Sequence, residues 1–236
     1  MSALKLLSLD TSSLAASAAL WEDERLLGEF FINAKLTHSQ TAMPMVEDLL
    51  KATQASLSQV DLFAVSTGPG SFTGLRIGIA AVKGMAHALG KPCIPVSTLK
   101  GMAYNLLGFE GYVCPVMDAR CQQVYTALFE MVDGRPVQVE EDAAIPLAEL
   151  EARLSRLSKR VFLVGDGAKL CYNECIGSCP NITLAPPSLL FQKASSVAQA
   201  ALDNLEAAVP AAELAPAYLR LPQAERELLR KQNQKG

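Results

Sequence analysis

Short apolar runs separated by polar turns dominate the first third of the chain. Leu4 to Leu9 is an apolar run closed by Asp10-Thr11-Ser12-Ser13, which reads as a strand ending in a polar turn. Leu14 to Trp21 and Leu26 to Ala34 read as two further strands, with Glu22-Asp23-Glu24-Arg25 as the charged hairpin tip between them. The period then changes. Between Ser39 and Thr53 the apolar positions Ala42, Val46, Leu49 and Leu50 recur at helical spacing. Leu62 to Ser66 reads as a buried strand, and the glycine-rich turn Gly68 to Gly74 follows it. Leu75 to Leu89 is a helix stopped by Gly90 and Pro92, Cys93 to Val96 a strand, and Thr98 to Leu107 a helix.

The second half starts in the same order. Tyr112 to Met117 and Gln123 to Met131 read as strands around a turn at Asp118-Ala119-Arg120. A helix over Leu147 to Leu157, a strand over Arg160 to Val164, the turn Gly165-Asp166-Gly167 and a helix over Ser195 to Glu206 complete it. The order of elements predicts an α/β chain of two lobes, residues 1–108 and 109–236, each a mixed sheet flanked by helices.

Composition narrows the function classes. A chain of 236 residues buries about 70% or more of its unfolded surface and needs no disulfide or structural metal. Half of the residues are hydrophobic and 19% charged, with mean hydropathy +0.20, which excludes disorder. A net charge of −3 carries no chain-wide footprint for nucleic acid, so any RNA contact must be local. It also argues against a polybasic membrane anchor. Asp10 interrupts the only stretch that could serve as a secretory core, Leu6 to Leu20. Pro180, Pro186 and Pro187 exclude a membrane helix from the longest uncharged run. The expectation is a cytoplasmic protein whose six cysteines stay reduced.

Asp10-Thr11-Ser12, at the end of the first strand, offers a carboxylate and two hydroxyls that can hold a phosphate oxygen or a metal-bound water. The same residues can equally cap the strand as an Asx or Ser/Thr turn. The Gly68 to Gly74 turn opens a helix and could cradle an anion, but it lacks the lysine of a P-loop and the register of a dinucleotide turn. The two histidines, His38 and His87, form no metal pair, and Cys171, Cys175 and Cys179 lack a fourth ligand. No Gly-x-Ser-x-Gly elbow occurs, and no catalytic constellation is visible.

The helix from Leu75 to Leu89 is apolar around most of its circumference, with Arg76, Lys83 and His87 as its polar stripe. A surface helix ordinarily buries one apolar stripe. This excess, with Met43 and Met45 on the preceding helix, points to a partner interface, for which Met43, Val46, Leu50, Arg76, Ile79, Val82 and Lys83 are the candidates. Arg220 to Gly236 is modestly basic and reads as a solvated helix end.

Leu9-Asp10-Thr11-Ser12, Ser66-Thr67-Gly68-Pro69-Gly70-Ser71-Phe72-Thr73-Gly74-Leu75-Arg76-Ile77-Gly78, Pro95-Val96-Ser97-Thr98-Leu99 and Asp118-Ala119-Arg120 with Val124-Tyr125 resemble one family, the bacterial TsaB proteins of tRNA threonylcarbamoyladenosine biosynthesis. The resemblance is specific from about residue 4 to about residue 130. Beyond that it rests on Gly165-Asp166-Gly167-Ala168 and Tyr218-Leu219-Arg220. It implies an actin-like, ribonuclease-H-like fold and a non-catalytic role beside a catalytic paralogue, TsaD, and an ATPase, TsaE. It also implies a homodimer in the partner's absence, with tRNA reached mainly through the complex. The paralogue's His-x-x-x-His metal pair falls here on Thr98 and Met102, neither a credible ligand. Asp10, Thr11, Ser12, Asp118 and Arg120 sit where nucleotide loops are expected, and are read as inherited loops without a working pocket. No tightly bound cofactor is expected, and ATP or ADP would lie at the complex interface. The readings set against this one are an ATP-dependent phosphotransferase and a metallopeptidase.

Overall fold

The computed structural model describes residues 3–176 and 179–220, with the side chains at 175 and 176 excepted. The basic positions beyond Arg220 therefore lie outside the described residues. Two five-stranded mixed sheets form the core of two lobes.

In the first sheet, β1 (Lys5–Asp10) lies between β2 (Ala16–Glu22), which is antiparallel to it, and β4 (Leu62–Gly68), which is parallel. β3 (Arg25–Ile32) and β5 (Cys93–Ser97) are the edges. From Leu6 onward every residue of β1 is buried, because helices cover both faces of the sheet. On one face, α1 (His38–Ala52) and α2 (Phe72–Leu89) pack Val46, Leu49, Leu75 and Val82 against Leu7, Leu9, Phe63 and Val65. Ser71 caps α2 by accepting from the Gly74 N–H at 3.3 Å, and Gly90 ends it at φ +64°.

The second sheet is built from β6 (Gly111–Asp118), β7 (Gln123–Val132), β8 (Arg135–Pro146), β9 (Val161–Val164) and β10 (Ile182–Leu184), in the order β10-β9-β6-β7-β8. The short helices α4 (Leu147–Leu154) and α5 (Ala168–Cys171) accompany it. β8, α5 and β10 carry no sequence expectation. Cys171 is buried in the second core, and no group of three His, Cys, Asp or Glu is placed to hold a metal among the described residues.

The lobes exchange helices. α3 (Thr98–Ala103), read with the first half of the sequence, buries Leu99, Met102 and Ala103 in the second lobe's core. α6 (Ala194–Leu202) follows the second lobe in the chain yet packs Val197, Ala198 and Ala201 beneath the first sheet, against Leu6, Ala19 and Ile94. Each of these two helices thus packs on the sheet built by the other half of the chain. Two buried serines inside strands hold this crossing. Ser8 Oγ donates to Ala194 O at 2.7 Å, and Ser17 Oγ accepts from the Ala194 N–H at 2.8 Å. Glu29 Oε1 accepts from the Ser195 N–H at 2.9 Å, which adds a negative group at the positive end of α6.

Ser17→Ala should orphan the buried Ala194 N–H and lower unfolding free energy by about 1–3 kcal/mol in urea titrations. An unchanged midpoint and slope would mean that the Ser17 bond adds nothing to the hold of Ser8, Glu29 and the apolar contacts on α6.

Candidate functional site

The cleft between the lobes is a cavity of about 620 Å³. It is bounded by the ends of β1 and β4, the start of α2, the β6–β7 turn, Asp166 and the chain's own segment from Ala217 to Arg220. The turns after β1 and β4, the β6–β7 turn and the Gly165-Asp166-Gly167 turn meet here.

Asp10 lies at the base of this region, fully buried. Its Oδ1 accepts from the Ser12 N–H at 2.9 Å and from Ser12 Oγ at 2.8 Å, and its Oδ2 accepts from Ser66 Oγ. Burial pushes its carboxyl up, against the lowering effect of these hydrogen bonds. Thr11 Oγ1 donates to Gly74 O at 2.8 Å, and Ser13 Oγ to Gln192 Oε1 at 3.0 Å. Thr11 and Ser12 are 2% and 0% exposed, and both hydroxyls donate within the protein. His38 Nε2 donates to Ser13 O at 2.6 Å and pins the far end of the turn.

The glycines of the Gly68 to Gly78 string fit around this turn. A Cβ at Gly70 would stand 2.4 Å from Ser12 O, one at Gly74 2.1 Å from Thr11 O, and one at Gly78 2.3 Å from Thr11 Oγ1. Ser12 O also accepts the Ser71 N–H at 2.7 Å. The helix N-terminus thus receives a protein carbonyl. The glycine spacing reflects close approach of two backbones.

On the opposite wall, Asp118 Oδ1 accepts from the Arg120 N–H at 2.7 Å, and both side chains are exposed. Arg120, Cys121 and Gln122 are consecutive left-handed residues, at φ +62°, +55° and +57°. Asp166 sits beside them. Burial is the main cause that lifts its carboxyl to about 6, and the charges of Asp118 and Asp10 add to it. Its Oδ1 is buried without a hydrogen-bond partner among the described residues.

A C-terminal strap closes the rim. Lys83 Nζ donates to Ala212 O at 2.8 Å and Leu214 O at 3.3 Å, and the Ala217 N–H donates to Thr67 O at 2.8 Å. Tyr218 stacks on Phe72 at 4.8 Å and accepts from Arg76 Nε at 3.0 Å, while the Arg76 guanidinium lies 3.9 Å over the Phe72 ring. Arg220 Nη1 reaches Ala119 O of the second lobe at 3.1 Å. Apart from the resemblance at Tyr218-Leu219-Arg220, only those two rings and two cations hint at the strap in the sequence.

The seven interface candidates are distributed unevenly. Val46, Ile79 and Val82 are buried in the first lobe's core, Arg76 and Lys83 bind the strap, Leu50 is half-buried and Met43 is exposed. The exposed residues of α2 are Thr73, Arg76, Ala80, Gly84, His87 and Ala88. Thr98 and Met102 are both buried at 1% exposure.

The family model for TsaD, tRNA N6-adenosine threonylcarbamoyltransferase, matches residues 32–230. The tRNA threonylcarbamoyladenosine biosynthesis protein TsaB of Bacillus subtilis is 30% identical, over 97% of this chain and 100% of its own length. TsaB of Escherichia coli is 35% identical over 70% of this chain and 72% of its own. The crystal structure of YeaZ from Pseudomonas aeruginosa superposes with a TM-score of 0.76 at 32% identity, covering 93% of this chain and 100% of that one.

Gly78→Ala should cost about 1–3 kcal/mol of stability by forcing Thr11 away, whereas Gly84→Ala, with open space around its Cβ, should add about 1 kcal/mol. Equal effects in paired urea titrations would refute the close-approach argument. The raised carboxyl of Asp166 favours the protonated native state, a contribution complete below about pH 4 and lost as pH rises through about 6. Asp166→Asn should therefore stabilise the protein by about 3 kcal/mol at pH 8 and by little at pH 4, read as the difference between two unfolding curves.

Proposed function

The chain belongs to the family of TsaB, the tRNA threonylcarbamoyladenosine biosynthesis proteins, and on that premise we propose that it is the non-catalytic subunit that scaffolds a TsaD-like catalytic partner. Its role lies in forming threonylcarbamoyladenosine on tRNA. The observation that carries the subunit reading is the state of the loops an actin-like enzyme would use. Asp10 and its neighbouring hydroxyls are sealed against the glycine face of α2, with every hydroxyl of Thr11, Ser12 and Ser13 already donating within the protein. The positions that correspond to the catalytic paralogue's metal pair are a buried threonine and a buried methionine, a donor set unsuited to such a metal.

The same observations disfavour the phosphotransferase reading. A transferring phosphoryl group needs cations and a free carboxylate around it. Here no lysine lines the cleft among the described residues, Arg220 is bonded to Ala119 O, and the Asp10 carboxyl is already occupied by Ser12 and Ser66. ATP or ADP is better accommodated where a partner adds its own groups than in this cleft. A metallopeptidase would need a ligand set that the cleft residues do not supply.

The docking face in this reading is the outward side of α2 with Met43 of α1. Ala80, Gly84 and Ala88 recur along it and permit a partner helix to approach closely. A TsaE-like ATPase joins the pair, a second copy of the chain covers the face when the catalytic partner is absent, and tRNA is met chiefly through the assembly in the cytoplasm.

Light scattering on the eluting species tests this. The chain mixed with its catalytic paralogue should elute as a one-to-one complex, and Gly84→Arg should abolish it. That variant should leave the unfolding midpoint in place, because no described residue lies within 4 Å of a Cβ there. Pairing that survives in Gly84→Arg would remove α2 from the interface. Charged residues at Ile79 or Val82 are unsuited to the purpose, since both positions are core.

A further inference from the structure

A second cavity lies wholly in the second lobe, away from the cleft, with a volume of about 1020 Å³. That is the upper end of what small-molecule sites occupy, and suits a segment of a polymer. It extends from the turn before β6 and the start of β9 to the residues that follow β10, the outermost strand of its sheet. Phe109 and Phe162 meet edge to face at 5.1 Å in its wall, with Pro186 and Pro187 beside them.

The polar residues of this groove are lopsided in charge. Lys159, Arg160 and Lys169 line it against the single carboxylate of Glu110, on a chain whose net charge is −3. Lys159 is engaged by Glu130 at 2.5 Å. Arg160 and Lys169 are exposed and have no ion pair among the described residues, and the Arg160 guanidinium stands 5.1 Å over the Phe162 ring. Unpaired cations flanking apolar and aromatic walls match a single-stranded nucleic acid, whose phosphates seek the cations while an unstacked base rests on the apolar surface. Resting on the tRNA-modification role above, we propose that this groove is a direct contact for a single-stranded segment of the tRNA substrate. Arg160 and Lys169 hold phosphates, and the walls at Phe109 and Pro186 receive a base. An extended acidic peptide would share the charge preference but not the need for flat apolar surface.

Fluorescence anisotropy with labelled tRNA on the complex of this chain with its catalytic paralogue tests the assignment. Arg160→Ala with Lys169→Ala should weaken tRNA binding about tenfold near 150 mM salt, and lower the slope of log affinity against log salt by about 1.4. Both side chains are exposed, so the double variant should keep its unfolding midpoint and its co-elution with the paralogue. Unchanged tRNA affinity and slope in an assembled complex overturns the proposal. So does binding of labelled polyglutamate that the double variant loses while tRNA binding persists, which would assign the groove to an acidic protein partner. Failure of the wild-type chain to co-elute with the paralogue marks failure of the subunit reading instead. tRNA anisotropy on the chain alone, wild type against double variant, then decides the groove.

Discussion

The approach of the Asp10 to Ser13 turn to the face of α2 sets the geometry of the first lobe. Two backbones come so near that Gly70, Gly74 and Gly78 are the residues that fit between them. Once the turn is seated, the Asp10 carboxylate is enclosed with Ser12 and Ser66 as its donors, Thr11 bonds across to Gly74, and Ser12 O takes the first free N–H of the helix. The hydrogen bonds of this turn run inward, which makes it a joint between β1 and α2.

Two further devices hold the lobes to one another. Exchange of α3 and α6 places each lobe's sheet beneath a helix from elsewhere in the chain, and the strap from Ala211 to Arg220 runs along α2 before touching Ala119 across the cleft. Arg76 and Lys83 therefore look inward to their own chain. Polar residues on an otherwise apolar helix can hold a partner or a neighbouring segment, and periodicity alone does not distinguish these cases.

The elements of the first lobe were legible because β1 and β4 are continuous apolar runs and α1 and α2 keep a helical period bounded by Ser71 and Gly90. β8 was not, although Asp133-Gly134, with both residues at positive φ, is a strong hairpin signal. Its exposed Val137 and Val139, followed by Glu140 and Glu141, obscure the strand pattern. The three-residue β10 and four-residue α5 are too short for any period to register. At the site, the polar turns were visible as motifs, but their inward-facing bonds were not. Ser8 and Ser17 look like weak points in their strands until α6 arrives to bond them. Asp166 was visible as part of a turn, but its raised carboxyl depends on burial and on Asp118, neither of which is local.

Helix exchange also orders events during synthesis. Domains emerging from the ribosome fold from the N-terminus as units where they can. The first lobe is not such a unit, because the face of its sheet bearing Leu6, Trp21 and Ile94 receives its covering helix only when Ala194 and its successors have been made. Through most of translation that face is an apolar surface without its lid. Until α6 has been made, that face is open to the off-pathway contacts that exposed apolar surface invites.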